Sequence, residues 1–192
     1  MRTLYDEWAS RYDQDVEASG YVTPGRVAEA LANCCSERDK PILDFGCGTG
    51  LSGVALVDAG FTNIDGVDVS AEMLDVARNR GLYRDLRQID VEGPLSIDRG
   101  DYEVITAVGV ISVGGAPGSV YNEVLKIMAP GNLLVFSMND ESMKMPEYAG
   151  RLKASVEDKE VRVLSENYGP HVSKHGKNSG STVYVLERLD SG

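Results

Sequence analysis

The sequence predicts an α/β protein whose mostly parallel sheet is covered by helices on both faces. Two observations carry this: short apolar runs alternate with helical patterns at the spacing of βαβ units, and a glycine-rich turn, Gly46-Cys47-Gly48-Thr49-Gly50, joins the first strong run to the helix after it. A third sets the scale, since 192 residues with 42% hydrophobic and 26% charged side chains suit one globular domain over 1–192.

In chain order, Leu4 to Val16 is a helix candidate with Tyr5, Trp8, Tyr12 and Val16 on one side. Thr23-Pro24 reads as an N-cap followed by proline at the first helical position, opening a helix through about Cys34. Pro41 to Phe45 is a short apolar strand, and Leu51, Val54, Ala55 and Val57 give the next helix its apolar face until Gly60 stops it. Ile64 to Val69 is the second strand. Ser70 then caps a helix with Glu72 in its first turn and Met73, Leu74 and Ala77 on its inner face, ending at Gly81. Arg84 to Ile89 is a weaker third strand and Tyr102 to Val108 a buried fourth. Ser119 to Met128 is a helix, and Pro130-Gly131 turns the chain into a fifth strand at Leu133 to Met138. After Pro146 the pattern predicts a helix over about Glu147 to Val156 and a closing antiparallel pair, Glu160 to Ser165 and Thr182 to Arg188. Between these two, Glu166 to Ser181 is rich in Gly, Asn, Ser, Lys and His and reads as a mobile polar loop.

Composition narrows the function. Nineteen Lys+Arg against thirty Asp+Glu give a net charge of -11, which repels a phosphate backbone and argues against nucleic acid. The longest apolar stretches, Val104 to Val113 and Leu133 to Met138, are too short to cross a bilayer. Acids at Asp6 and Glu7 stand where a secretory signal would carry its apolar run, so a cytoplasmic protein is expected. Cys34, Cys35 and Cys47 lack disulfide or zinc spacing and are expected to be small buried or half-buried side chains, with no metal site. No long apolar edge or heptad is evident, and a monomer is expected.

The turn around Gly46, Gly48 and Gly50 allows tight backbone curvature and the approach of a ligand without a Cβ in the way. Asp68, at the end of the second strand, stands where an acid accepts both hydroxyls of a ribose, which implies a nucleoside. Asp90, followed by Val91 at the end of the third strand, is placed for the exocyclic amine of adenine and a backbone N–H to the ring. A dinucleotide fingerprint is disfavoured, because Leu51 occupies the position of its third glycine. Asp44, two residues before the first glycine, would repel a pyrophosphate and favour a cationic amino group or sulfonium.

On these residues the chain resembles the class I S-adenosylmethionine-dependent methyltransferases, whose motif of an acid and three alternate glycines matches Asp44, Gly46, Gly48 and Gly50. Within them, Tyr5-Asp6-Glu7-Trp8-Ala9, Tyr12-Asp13-Gln14-Asp15-Val16, Ala59-Gly60-Phe61, Gly66-Val67-Asp68, Met73-Leu74 and Arg80-Gly81-Leu82-Tyr83 look like the Williams-Beuren syndrome chromosome region methyltransferase group, over roughly residues 3 to 138. The resemblance implies a Rossmann-like seven-stranded sheet of order 3-2-1-4-5-7-6 with strand 7 antiparallel. It implies that Gly46, Cys47, Gly48 and Gly50 lie under the amino-acid part of S-adenosylmethionine, and that Asp44 meets its ammonium directly or through water. It places Asp68 on the ribose diol, Val69 and Met73 on adenine, Asp90 and Val91 at the adenine edge, and Val108 with Gly109 beside the methionine chain. Tyr5, Trp8 and Tyr12 would belong to a lid formed by residues 1–22. The short polar segment Glu166 to Ser181 departs from the longer aromatic insertion common in relatives.

Methyl transfer from a sulfonium is a direct displacement from an already activated leaving group, so alignment and water exclusion supply most of the acceleration. A base helps where the acceptor must lose a proton. The candidates are His171, His175, Asp140 and Glu141; both histidines are expected to be solvated, the two acids can simply cap a helix, and no catalytic residue is assigned. After the fourth strand, Gly109-Val110-Ile111-Ser112-Val113-Gly114-Gly115 lacks the N/D-P-P-Y/F run of enzymes that methylate adenine or glutamine amines. The leading expectation is methyl transfer to a small-molecule acceptor, with a basic protein acceptor possible. The alternatives are a non-catalytic protein that binds S-adenosylmethionine and, behind it, an NAD-dependent oxidoreductase.

Overall fold

A computed structural model describes residues 20–91, 95–172 and 179–190. The elements are α1 (Thr23–Cys34), β1 (Ile42–Phe45), α2 (Leu51–Asp58), β2 (Ile64–Asp68), α3 (Ala71–Arg80), β3 (Leu86–Gln88), β4 (Val104–Ala107), α4 (Ser119–Ile127), β5 (Leu133–Asn139), α5 (Asp140–Met143), α6 (Ala149–Glu157), β6 (Val161–Pro170) and β7 (Gly180–Arg188). The seven strands form one sheet in the order β3-β2-β1-β4-β5-β7-β6. Pairing is parallel from β3 through β5, and β7 runs antiparallel to both β5 and β6. The expected topology is thus the observed one.

Successive residues of a strand face opposite sides of the sheet, and the core divides accordingly. Leu43, Phe45, Ile105, Leu134, Phe136, Tyr184 and Leu186 face one side, packed with Val120, Tyr121, Val124 and Leu125 of α4 and Leu152 of α6. Ile42, Ile64, Val104, Val135, Val183 and Val185 face the other, packed with Val27, Ala28 and Leu31 of α1 and Leu56 of α2. Phe136 anchors the first layer, its ring stacked on Tyr184 at 5.5 Å and tilted against Tyr121 at 5.8 Å. Among the described residues no helix is long and apolar enough to cross a membrane.

The structure corrects three local expectations. The span read as a mobile loop, Glu166 to Ser181, is in large part hairpin: β6 continues to Pro170 and β7 begins at Gly180, with Glu166 opposite Tyr184 and Gly169 opposite Ser181. Its polarity has another cause, since β6 is the sheet edge and most of its side chains are exposed on both faces. Thr23 is the first residue of α1 and not its cap; Val22 holds that position without a side-chain bond, and the Thr23 hydroxyl turns to the hairpin instead. Cys34 is exposed at the end of α1, whereas Cys35 and Cys47 are buried. The cap of α3 is as expected: Ser70 Oγ accepts from the Met73 amide at 3.2 Å, and Gly81 closes the helix with φ 66°.

Candidate active site

The sheet order reverses direction between β1 and β4, and in open α/β sheets the crevice at that switch, outside the C-terminal strand ends, is where ligands bind. The glycine turn leaves β1 there. Gly46, Gly48 and Gly50 all have positive φ (70°, 53° and 91°), which glycine adopts without a Cβ penalty. The amides of Gly46 and Cys47 both donate to the Val67 carbonyl, at 2.8 and 3.0 Å, binding the turn to β2. Gly46 presses on Val110, so closely that an added Cβ would overlap Val110 Cγ2 and lie 2.9 Å from Cγ1. At Gly48, by contrast, a Cβ would meet nothing within 4 Å among the described residues, so the middle of the turn borders open space.

Asp68 closes one side of that space. Its Oδ2 accepts from the Gly48 amide and its Oδ1 from the Ser70 amide, each at 2.9 Å, which fixes the carboxylate at the end of β2 beside the turn. Asp44 lies beneath and is fully buried. Three hydroxyls donate to it: Ser52 at 2.5 Å, Tyr83 at 2.7 Å and Thr106 at 3.0 Å. Burial pushes its carboxyl above the ordinary range, the three donors pull it back, and the negative charge of Asp68 adds to the rise. Burial likewise raises the Cys47 thiol well above its usual value, with Asp44 and Asp68 opposing a third negative charge, so Cys47 stays a protonated, inert thiol. The Tyr83 phenol is also raised, by burial first and then by Asp44. The two acids make this floor hospitable to a cation.

Ser52 and Thr106 were not singled out from sequence, and Tyr83 stood out only within the run Arg80-Gly81-Leu82-Tyr83, without a role. Tyr83 enters from the loop after α3, and only the missing side chain of Gly53 lets its hydroxyl reach Asp44. Arg80, at the end of the same helix, donates Nε to the Thr49 carbonyl at 2.7 Å, so the turn is also held from the α3 side.

Of the remaining expected site residues, those that are described lie on or after β2, β3 and β4 and at the start of α3. Val69 is partly exposed after β2, while Met73 is 2% exposed, so of this pair Val69 keeps a face at the surface. Asp90 is exposed, and Val91 packs partly against the core with Ile89. Val108 and Gly109 follow β4; Gly109 has φ 70° and donates its amide to Ser137 Oγ at 2.9 Å. The loop after β4 is pinned further by the Val113 amide, which donates to Ser142 Oγ at 2.8 Å. Tyr5, Trp8, Tyr12 and His175 lie outside the described residues. His171 is not a solvated loop residue: it is half-buried after β6 and contacts Thr23 and Tyr21. Asp140 opens α5, and its Oδ2 accepts from the Gly180 amide at 2.8 Å; Glu141 beside it is exposed.

Residues 42–131 match the family described as a methyltransferase domain. Methyltransferase-like protein 27 of Homo sapiens is 33% identical over 157 residues, 80% of this chain and 63% of that protein. The strand order agrees with these matches. The chain is similar to the class I S-adenosylmethionine-dependent methyltransferases. A ubiquinone biosynthesis O-methyltransferase of Actinobacillus pleuropneumoniae is 31% identical over 113 residues, 55% of this chain and 48% of the relative. The chain therefore spans from about half to just under two thirds of the length of these relatives. Among solved structures, the methyltransferase in complex with the Haloferax volcanii Trm112 methyltransferase activator has a TM-score of 0.74 at 17% identity, covering 96% of this chain and 97% of that one. Magnesium protoporphyrin IX methyltransferase from Synechocystis with bound SAH has a TM-score of 0.64 at 14% identity, covering 86% and 82%. At these identities the likeness to the solved structures is one of fold.

Proposed function

We propose that this chain is a methyltransferase that binds S-adenosylmethionine at the glycine turn and methylates a small-molecule acceptor. The observation that carries this reading is the open space at Gly48, bordered by the fixed carboxylate of Asp68 and floored by buried Asp44. Those residues fit the cofactor's chemistry: a carboxylate for a ribose diol, backbone without Cβ atoms for close approach, and negative potential for its ammonium and sulfonium. Bound there, S-adenosylmethionine supplies an electrophilic methyl group on a sulfonium.

The chain's own contribution is positioning. Gly46, Cys47, Gly48 and Gly50 shape the surface under the amino-acid part, and Asp68 orients the ribose. Val69 and Val91 flank the adenine, with Met73 supporting from the core and Asp90 at the adenine edge. Val108 and Gly109 border the methionine chain. Asp44 acts through its field and through the hydroxyls around it, because its own oxygens have no exposure.

A small acceptor is favoured by the glycine-rich, apolar loop after β4, pinned by Ser137 and Ser142 into one shape beside the turn. The names of the ubiquinone biosynthesis O-methyltransferase relatives point the same way. The test is transfer of labelled methyl from S-adenosylmethionine into a cell extract separated by size. Label in the low-mass fraction is expected. Label confined to protein would reassign the acceptor to a macromolecule, and no transfer by a chain that binds S-adenosylhomocysteine would leave a non-catalytic binding protein.

A further inference from the structure

The hairpin brings against Tyr21, whose hydroxyl approaches the residues after β4, a histidine that the site as described leaves without a role. Tyr21, ahead of α1, bridges to Val172 and stands edge-on to the His171 imidazole, with ring centroids 5.0 Å apart at 73°. The Tyr21 hydroxyl reaches across to Gly109, where an added Cβ would come within 2.8 Å of it. Gly109 neighbours Val110, which packs on Gly46. His171 is therefore one aromatic ring from the strand end that borders the glycine turn, on the side of β4 away from Asp68.

Its ring is held from the opposite side. Thr23 Oγ1 lies 2.9 Å from His171 Nδ1, 3.3 Å from the His171 carbonyl oxygen and 3.4 Å from Ser181 Oγ. Ser181 Oγ accepts from Arg26 Nη1 at 2.9 Å, which leaves its own proton for Thr23. The Thr23 hydroxyl has a single proton. Donated to the His171 carbonyl, it makes all three Thr23 contacts attractive, provided that Nδ1 carries the imidazole proton and donates to Oγ1. Donated to Nδ1, it leaves two acceptor oxygens facing each other at 3.3 Å without a hydrogen. The first arrangement leaves Nε2 with its lone pair, and among the described residues Nε2 has no hydrogen-bond partner.

We propose that His171 is the general base that takes a proton from an acceptor hydroxyl through Nε2, with Thr23 as the residue that fixes its tautomer. The inference rests on the methyltransferase reading above. In the transfer, the acceptor's O–H proton goes to Nε2, the O–H electron pair becomes the new oxygen–methyl bond, and the pair of the broken carbon–sulfur bond stays on sulfur. Among the described residues, the charged and titratable groups around the ring are Arg26 from α1, Asp140 from α5 and the Tyr21 phenol. Burial and the Arg26 charge lower the imidazole below its usual value while Asp140 opposes them, so the neutral form prevails at pH 7. Its contribution to stability is accordingly present above the unfolded value near 6.5 and is lost as pH falls through the lowered one.

The test is nitrogen-15 NMR of the His171 ring in the full chain, alone, with S-adenosylhomocysteine and with S-adenosylmethionine. Nδ1-protonated, Nε2-bare imidazole is expected at pH 7.5, and Thr23→Val should mix the tautomers. The cofactor's sulfonium carries a charge that the product lacks, so the midpoint should fall by about half a unit or more with S-adenosylmethionine relative to S-adenosylhomocysteine. In labelled-methyl transfer, His171→Asn should lower the rate at least about 100-fold without changing S-adenosylhomocysteine affinity. A proton on Nε2, equal midpoints with the two ligands, or an unchanged rate would each overturn the role of His171. Failure of both ligands to bind would instead overturn the cofactor reading, and the tautomer would still report on the ring.

Discussion

Asp68→Ala is expected to weaken S-adenosylhomocysteine binding by at least about 100-fold, with the circular dichroism spectrum unchanged. The carboxylate would lose charge-assisted hydrogen bonds to a ribose diol, each worth about 1.5–3 kcal/mol, and about 3 kcal/mol is already more than a hundredfold in affinity. A second effect has the same sign, because Asp68 Oδ2 also holds the Gly48 amide and so the shape of the turn. Asp68→Asn keeps an acceptor oxygen without the charge and should fall between the two. Titration calorimetry on the three chains reads the series. A loss of tenfold or less in Asp68→Ala would place the ribose elsewhere.

Gly46→Ala should cost about 2–4 kcal/mol of stability. About 1–2 kcal/mol comes from putting an L side chain in the left-handed region at φ 70°. The remainder comes from the new Cβ, which overlaps Val110, a short branched side chain that cannot swing aside as a lysine could. Gly46→Ala combined with Val110→Ala should therefore lose less than the sum of the two single changes, since the clash disappears while the strain stays. Urea denaturation of the four chains gives the coupling. Strict additivity would mean that the turn and the β4 loop are not packed as described. The substitution is also expected to weaken cofactor binding, since the turn is the floor of the site.

The fold was legible because its strands are strongly apolar and its punctuation is local. Ser70 bounds α3 with its hydroxyl and Gly81 with its left-handed backbone, and Pro130-Gly131 turns the chain into β5. The hairpin was less legible: β6 is an edge strand, exposed on both faces, so its residues carry little of the apolar pattern by which a half-buried strand is recognised. At the site, the glycines, Asp44 and Asp68 stood out because their types and spacing carry chemistry by themselves. Tyr83, Ser52 and Thr106 did not, since a hydroxyl that supports a buried acid from 8 to 62 positions away leaves no local signature. His171 was visible but read as solvated, because the composition of its neighbours suggested a loop; its burial comes from Tyr21 and Thr23, brought together with it by the start of α1. One hint of the Tyr83 contact was present in sequence: Gly53 falls in the first turn of a helix, where glycine is costly unless something needs the space.

The central claim is that the space at Gly48, between Asp68 and the Asp44 floor, is a site for S-adenosylmethionine. Calorimetric titration of the folded chain with S-adenosylhomocysteine, with NAD as the control, tests it most directly. One-to-one binding in the micromolar range, about -8 kcal/mol, with no comparable heat from NAD is the predicted result. No binding of S-adenosylhomocysteine by a chain with intact circular dichroism, or tighter binding of NAD, would contradict it.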